Sequence, residues 1–149
     1  MKIRQLLRSA NQAARRPVNL VRNQAGEVTI YIYDEISAFW GIAAMDVINA
    51  LAQVADAAVL HLRINSPGGD VFESQAIQEA IRRFTGKTIA HIDSLAASAA
   101  TSIALACDEV EISPGAFFMI HNASAGVWGD KADLRKVAES ILRELAEKT

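Results

Sequence analysis

The sequence predicts an α/β domain built around a largely parallel β-sheet. Half of its 149 residues are hydrophobic, which is enough for one domain with a buried core. Segments rich in β-branched residues alternate along the chain with segments whose apolar residues recur every three or four positions. This alternation is typical of βαβ units, in which the strands lie parallel and helices connect them.

The first half of the chain contains three predicted strands and two predicted helices. Val28-Thr-Ile-Tyr-Ile-Tyr33 is β-branched or aromatic throughout, as strands tend to be. The other two strands cover residues 58–64 and 88–92, and the helices cover residues 40–54 and 71–84. Ser66-Pro-Gly-Gly69 separates the second strand from the second helix and marks a tight turn.

The second half begins with an alanine-rich helix predicted over residues 96–106, followed by strands at 109–112 and 116–120. Asp130 is a suitable N-cap for a last helix that extends to Lys148. The apolar face of that helix comprises Leu134, Val137, Ala138, Ile141, Leu142 and Leu145. Such a face has to pack on its own domain or on a neighbour, so we expect a homo-oligomer, either a ring or a dimer.

Basic residues are concentrated at the N-terminus. Residues 1–22 contain six Lys or Arg and no acid, whereas the rest of the chain contains nine bases and seventeen acids. We expect residues 1–26 to form a flexible basic arm, without a nucleic-acid or membrane contact, and residues 27–149 to form the folded domain.

Apolar runs and cysteine usage restrict the class of protein. No apolar stretch of about 7–15 residues follows the N-terminal charges, and none approaches the roughly 18 residues of a membrane span. Cys107 is the only cysteine, which excludes a disulfide framework and favours a small core residue. The sequence contains no metal-ligand cluster and no nucleotide-binding motif, so we expect no metal and no cofactor in a cytoplasmic protein.

Ser98 and His121 are the most informative candidate catalytic residues. Ser98 lies among alanines at the predicted start of a helix, and His121 follows a short strand. A histidine can take a proton from a serine hydroxyl near neutral pH, which prepares the serine for acyl transfer. Each feature also has a structural explanation, because a serine can cap a helix and a histidine can close a strand. We expect His61 and His91 to be structural histidines of that kind.

Two backbone amides are candidates for stabilising an oxyanion. In open α/β sheets, ligands bind at the carboxyl ends of parallel strands, where strand-to-helix loops lie. The loops at residues 66–70 and 93–98 both lead into predicted helices, whose first amides have no partner within the helix. Gly69 also permits backbone angles that a Cβ atom forbids. The amides of Gly69 and Ala99 are therefore predicted to hold a developing negative charge.

Three motifs agree in order and spacing with those of a known family. Asn65-Ser-Pro-Gly-Gly69, then Ala96-Ala-Ser98, then Met119-Ile-His121 resemble the signature of the ClpP-type serine peptidases. The versions Ile64-Asn-Ser-Pro-Gly-Gly-Asp-Val71 and Ile92-Asp-Ser-Leu-Ala-Ala-Ser-Ala99 look most like the ClpP-related head-maturation proteases of phages and prophages. The resemblance covers the chain from about Glu27 to its end.

The resemblance implies a ClpP/crotonase-type spiral of βαβ units and a serine endopeptidase that needs no cofactor. It assigns Ser98 as the nucleophile, His121 as the general base, and the amides of Gly69 and Ala99 as the oxyanion hole. It further implies a peptide or protein substrate, with capsid or scaffold segments as candidates. Subunits of this family assemble into rings through the helix that follows the histidine.

Two features of the chain depart from the family pattern. The family's third triad residue lies well downstream of the histidine, beyond residue 149, so we expect the chain to stop before it. Asp93 and Asp130 are the candidates to replace it, and loss of that acid typically costs about 10⁴-fold in rate. The basic leader does not resemble the segment through which ClpP contacts its ATPase, so an ATPase partner is not expected.

Other functions stay open at the level of sequence. The chain is also compatible with the proteolytic subunit of an ATP-dependent Clp-type protease, or with a catalytically silent subunit of a ring. A crotonase-like acyl-CoA-binding protein shares the expected fold, although such enzymes generally rely on carboxylates. A peptidase that pairs serine with lysine has only Lys87 as an interior candidate before Ser98.

Overall fold

A six-stranded sheet organises the protein, as seen in a computed structural model that describes residues 18–23, 25–122 and 130–147. The strands are β1 Asn19–Arg22, β2 Val28–Ile32, β3 Val59–Ser66, β4 Lys87–Ala97, β5 Glu109–Ile112 and β6 Phe117–Met119. Their order is β1-β2-β3-β4-β5, and β6 pairs with β4 on the same side as β5. Only β1 runs antiparallel to its neighbour. The predicted α/β fold with a mostly parallel sheet is thereby confirmed.

The first three of the four described helices cover one face of the sheet and enclose the core. The helices are α1 Ala44–Gln53, α2 Val71–Arg82, α3 Ala99–Ala104 and α4 Lys131–Glu147. Alternate residues of β2, β3 and β4 are fully buried on this face, as the two-residue period of a strand requires. They pack against apolar side chains of the first three helices, among them Val47, Leu51, Ile77, Ile81 and Ile103.

The opposite face of the sheet carries polar side chains that bond across the strands. His61 Nδ1 lies 2.8 Å from His91 Nε2. Glu27 is 3.6 Å from the far side of the His61 ring, and Glu111 is 2.9 Å from that of His91. Both histidines therefore have hydrogen-bonding partners within the sheet, including His91, for which the sequence indicated none.

The structure differs from the predicted elements at two junctions. β4 continues to Ala97, and α3 begins only at Ala99, whereas the alanine-rich segment predicts a helix from residue 96. Pairing with β6 at Leu95–Ala97 extends the strand, so tertiary pairing overrides the helix propensity of alanine. Within the predicted flexible arm, Asn19–Arg22 forms β1 against β2, and residues 1–17 lie outside the described part of the chain.

α4 begins where the sequence predicts. The Asp130 carboxylate accepts hydrogen bonds from the amides of Ala132 and Asp133, at 2.7 and 3.0 Å, which confirms it as the N-cap. Leu134, on the predicted apolar face, is 45% exposed. The side chains of Ile141, Leu142 and Leu145 lie outside the described residues. Among the described helices, none has the length and apolar character needed to cross a bilayer.

Candidate active site

Ser98 occupies a strained backbone position between β4 and α3. Its φ of 54° makes it the one non-glycine residue with positive φ in the described ranges. The Ser98 amide donates to the Met119 carbonyl at 2.9 Å, and its own carbonyl accepts from the Thr101 amide at 3.0 Å. The Thr101 hydroxyl also donates to that carbonyl. A residue held this way from both sides keeps an unfavourable conformation, a feature that clusters at functional sites.

Gly68 lies directly against Ser98. Its φ is +92°, and a Cβ atom placed on it would lie 2.4 Å from the Ala97 carbonyl oxygen and 2.9 Å from both the Ser98 Cβ atom and the Ala99 amide nitrogen. No residue other than glycine fits there without displacing the nucleophile candidate. The Ser66 hydroxyl fixes this turn from the other side, because it accepts from the Gly68 amide at 3.1 Å and donates to the Asp34 carbonyl at 2.7 Å.

The Gly69 N–H points away from the segment that contains Ile36. Ile36 donates its amide to the Gly68 carbonyl and accepts from the Asp70 amide, each at 2.8 Å. This bridge uses the peptide groups on both sides of Gly69 and so directs the Gly69 N–H to the opposite side. Glycine is required here as well, since φ is +143° and a Cβ atom would overlap the Ile36 carbonyl.

The amides of Gly69 and Ala99 are both unpaired among the described residues. Ala99 is the first residue of α3, so its N–H has no acceptor within the helix. A Cβ atom added to Gly68 would lie 2.9 Å from this amide, and Gly68 is covalently joined to Gly69, so both predicted oxyanion donors belong to segments that adjoin Ser98. The structure thus brings together Ser98, Gly69 and Ala99.

His121 lines a cavity together with Ser98. The histidine follows β6 and is exposed, and the volume of the cavity is about 260 Å³. Its Nδ1 atom lies 2.6 Å from the Asn122 carbonyl oxygen. Because a carbonyl only accepts, the neutral ring carries its proton on Nδ1, which leaves Nε2 free to accept a proton. No hydrogen bond joins the Ser98 hydroxyl to His121 in the described part of the chain.

The carboxylates considered as replacements for a third triad residue are engaged elsewhere. Asp93 lies on the polar face of the sheet, where Arg63 Nε donates to it at 2.9 Å and Tyr33 donates its hydroxyl. Burial and then this Asp93 contact raise the pKa of Tyr33. Asp130 caps α4, as described above. Neither is hydrogen-bonded to His121 among the described contacts.

Neither Lys87 nor Cys107 is suited to act together with Ser98. Lys87 is at the start of β4, ten residues from the end of that strand, and its ammonium pairs with Glu109 at 2.7 Å. Burial raises the pKa of Cys107 to about 12, so its thiol stays protonated near neutral pH, as a core residue's would. No group of His, Cys, Asp or Glu within the described ranges has an arrangement suited to a metal ion.

Three contributors to this site were not predicted from the sequence. Gly68 packs against Ser98, Ile36 orients Gly69, and the Asn122 carbonyl fixes the His121 tautomer. The pair of adjacent glycines was the one available signal for the first. Ile36 acts through its backbone and Asn122 through its carbonyl, so side-chain identity gave no indication of either role.

Comparisons with known proteins identify the family of the chain. Residues 9–147 match the sequence profile of the Clp protease family. ClpP1 from Listeria monocytogenes is 28% identical with a TM-score of 0.57, over 80% of this chain and 70% of that one. A search of curated proteins gave no match.

Enoyl-CoA hydratases share the fold. One from Mycobacterium avium subsp. paratuberculosis K-10 is 22% identical with a TM-score of 0.57, over 69% of this chain and 49% of that one. A methylmalonyl CoA decarboxylase is 15% identical with a TM-score of 0.55, over 65% and 46% of the two chains. These likenesses concern the ClpP/crotonase fold alone. Since the family profile spans almost the whole sequence, the chain belongs to the Clp protease family.

Proposed function

We propose that this protein is a serine endopeptidase that hydrolyses peptide bonds through an acyl-enzyme intermediate. Ser98 is the nucleophile, His121 the general base, and the amides of Gly69 and Ala99 the oxyanion hole. The observation that carries the proposal is the strained Ser98, which shares a cavity with His121 and adjoins two amides that have no partner within the described ranges. Membership of the Clp protease family supports the same reaction.

In the acylation step, Ser98 Oγ attacks the carbonyl carbon of the scissile bond while its proton moves to His121 Nε2. The carbonyl oxygen becomes negatively charged and accepts hydrogen bonds from Gly69 and Ala99, each worth about 3 kcal/mol in the transition state. His121 then gives the proton to the leaving amine. In the second half, a water molecule loses its proton to His121 and attacks the ester, which releases the acid and restores Ser98.

In this proposal a backbone carbonyl group orients the His121 ring. In a conventional triad, a carboxylate holds the Nδ1 proton and stabilises the imidazolium. The Asn122 carbonyl, at 2.6 Å, holds the same proton and the same tautomer here. It has no full negative charge, so it stabilises the imidazolium less than a carboxylate does.

The test is covalent labelling of the whole chain with a fluorophosphonate. We expect a single adduct on Ser98, located by intact-mass measurement and peptide mapping, and no adduct on the Ser98→Ala variant. Ser94→Ala is the matched control, because Ser94 is an exposed serine of β4, the strand that leads to Ser98, and it should label at the normal rate. Absence of an adduct, or an adduct on another residue, would contradict the proposal.

The biological role that we favour is maturation of a phage or prophage head in the cytoplasm of a bacterial cell. It is supported by the resemblance of residues 64–71 and 92–99 to head-maturation proteases. The substrates are then capsid or scaffold segments, bound as extended peptides beside a strand edge such as β6. Co-expression with the scaffold protein of the same genome checks this role, which fails if the scaffold stays intact while Ser98 labels normally.

We also propose self-association, with no requirement for an ATPase partner. Leu134 is exposed on α4, and the family forms oligomers of this kind. Sedimentation velocity of the whole chain should show a species larger than a monomer, and a strict monomer at micromolar concentration would contradict it.

A further inference from the structure

The cavity beside Ser98 has an amphipathic lining, and its polar side chains come from α2, from α3 and from the catalytic candidates themselves. Its volume of about 260 Å³ is below the roughly 300 Å³ at which small-molecule pockets begin, so its size suits one amino-acid side chain. Helical spacing aligns its α2 members on one face of the helix. The apolar lining residues are Val71, Ala99 and Ile120, and the polar ones include Gln75, Gln78 and Ser102.

The contacts of Gln78 fix the direction of its amide. Arg82 donates to Gln78 Oε1 at 3.4 Å, and a guanidinium has donors only, so the amide oxygen faces Arg82. The amide nitrogen donates to the Ser74 hydroxyl at 3.2 Å, and that hydroxyl donates to the Ala99 carbonyl at 2.8 Å. One of the two Gln78 N–H groups is then left over for a ligand.

Gln75 and Ser102 add groups that can both donate and accept. Neither side chain has a hydrogen-bonding partner among the described residues. An apolar occupant of the cavity would displace water from these groups without replacing its hydrogen bonds, which costs binding energy. An occupant with a carbonyl oxygen and an amide NH₂ group could accept a hydrogen bond from Gln78 and also bond to the Gln75 amide and the Ser102 hydroxyl.

The charge of the cavity lining further restricts which side chains can bind there. Apart from His121, no described residue that lines the cavity is ionisable. Arg82 is outside the lining and already donates to Gln78. A carboxylate in the cavity would therefore lose its hydration without meeting an opposite charge.

We propose that this cavity binds the side chain on the acyl side of the scissile bond, the P1 side chain, and that it selects a carboxamide, glutamine or asparagine. The inference rests on the proposed function, because it takes Ser98 as the nucleophile. The uncharged amides of α2 then determine which peptide bonds are cut.

The experiment uses three peptidyl phosphonate diphenyl esters that differ only in the P1 side chain. Glutamine, methionine and glutamate have nearly the same length and differ in hydrogen bonding and charge. The second-order rate of adduct formation on the whole chain is measured by intact mass, so no turnover is needed. We expect the glutamine probe to react about tenfold faster than either of the others, the effect of one hydrogen bond.

A fluorophosphonate without a P1 side chain separates the two possible failures. If it does not label Ser98, the proposed function is wrong and the inference is overturned with it. If it does label Ser98 and the methionine probe reacts as fast as the glutamine probe, the inference alone is overturned. A faster glutamate probe would overturn the uncharged preference, because it would show that Arg82 reaches the occupant.

Gln78→Leu supplies the second test. It removes the oriented amide, and we expect the glutamine-to-methionine rate ratio to fall from about ten to about one. Gln53→Leu is the matched control, because Gln53 is an exposed glutamine of α1, and it should keep the ratio. Should Gln78→Leu fail to fold, Ser102→Ala takes its place and should lower the ratio about threefold. An unchanged ratio in the pocket variant would overturn the inference.

Discussion

The two candidate catalytic side chains stand in very different surroundings. Ser98 is held on both sides by backbone hydrogen bonds, adjoins two buried alanines, and has Gly68 against its Cβ atom. His121 is exposed, follows a strand of three residues, and is oriented by one hydrogen bond to Asn122. The proposed nucleophile is fixed by the core of the domain, whereas the proposed base is fixed by its immediate neighbour.

This difference separates two contributions to catalysis. The strained Ser98 and the nearby amides depend on packing between the sheet, α2 and α3, so they form whenever the core forms. The position of the His121 ring depends on the end of β6, so it is the part of the site that substrate or a neighbouring subunit can tighten. Variants on the two sides should therefore affect the labelling rate and the stability in different proportions.

The largest effect is expected at the base. His121→Ala should lower the rate of fluorophosphonate labelling at Ser98 by about 10³-fold, because the hydroxyl then has no proton acceptor. The free energy of unfolding should change by less than about 0.5 kcal/mol, since the side chain is exposed. Labelling kinetics and urea denaturation of the same samples measure both quantities.

Free imidazole distinguishes a lost base from a distorted site. It should restore part of the labelling rate of His121→Ala, with a dependence on imidazole concentration. His91→Ala is the control, because that histidine lies on the opposite face of the sheet and bonds to His61. Normal labelling of His121→Ala would show that another group removes the Ser98 proton.

A smaller effect on rate, with a larger effect on stability, is expected on the nucleophile side. Gly68→Ala places a Cβ atom against Ser98 and the Ala99 amide at a positive φ. We expect a loss of about 3 kcal/mol in unfolding free energy and about 100-fold in labelling rate, as when one oxyanion donor is displaced. Thermal unfolding and labelling of the folded protein check these values.

Gly115→Ala is the matched control for the strain itself. Gly115 also has a positive φ, +81°, but a Cβ atom there would meet nothing within 4 Å. Its free energy of unfolding should therefore fall only by the cost of a positive φ for alanine, about 1 kcal/mol, and its labelling rate should stay normal. Equal effects of the two substitutions would mean that contact with Ser98 is not what makes Gly68 necessary.

Sequence periodicity was sufficient for most of the fold, for reasons visible in the structure. Strands such as β3 are buried on alternate residues, and the α2 pattern repeats with the helical period, so both are readable locally. β1 was not predicted, because Asn19–Arg22 is mostly exposed and becomes a strand only through pairing with β2. The end of β4 was also misjudged, since its extension depends on a strand twenty residues later in the chain.

The sequence offered candidate site residues where side chains or glycines would carry the chemistry, and none where the backbone would. Ser98 and His121 have distinctive residue types, and Gly69 belongs to a recognisable turn. The group that orients His121 is the backbone carbonyl of Asn122. Every residue type has a backbone carbonyl, so no sequence pattern marks this one. The direction of the Gln78 amide likewise depends on contacts to Ser74 and Arg82 that exist only in the folded helix.

The smallest effect on the labelling rate is expected for Asp93→Asn, a variant that tests whether the Asp93 carboxylate assists His121. Asp93→Asn should keep the labelling rate within about twofold, because Asp93 lies on the polar face of the sheet and is bonded to Arg63 and Tyr33. Loss of this partly buried charge pair should lower the unfolding free energy by about 1–2 kcal/mol. The companion variant Arg63→Gln should be destabilised similarly, and the double variant by less than the sum, since both substitutions remove one interaction. A fall in labelling with Asp93→Asn as large as that of His121→Ala, but without the same fall for Arg63→Gln, would identify Asp93 as a carboxylate that assists His121 and show that the proposed base is held as firmly as the proposed nucleophile.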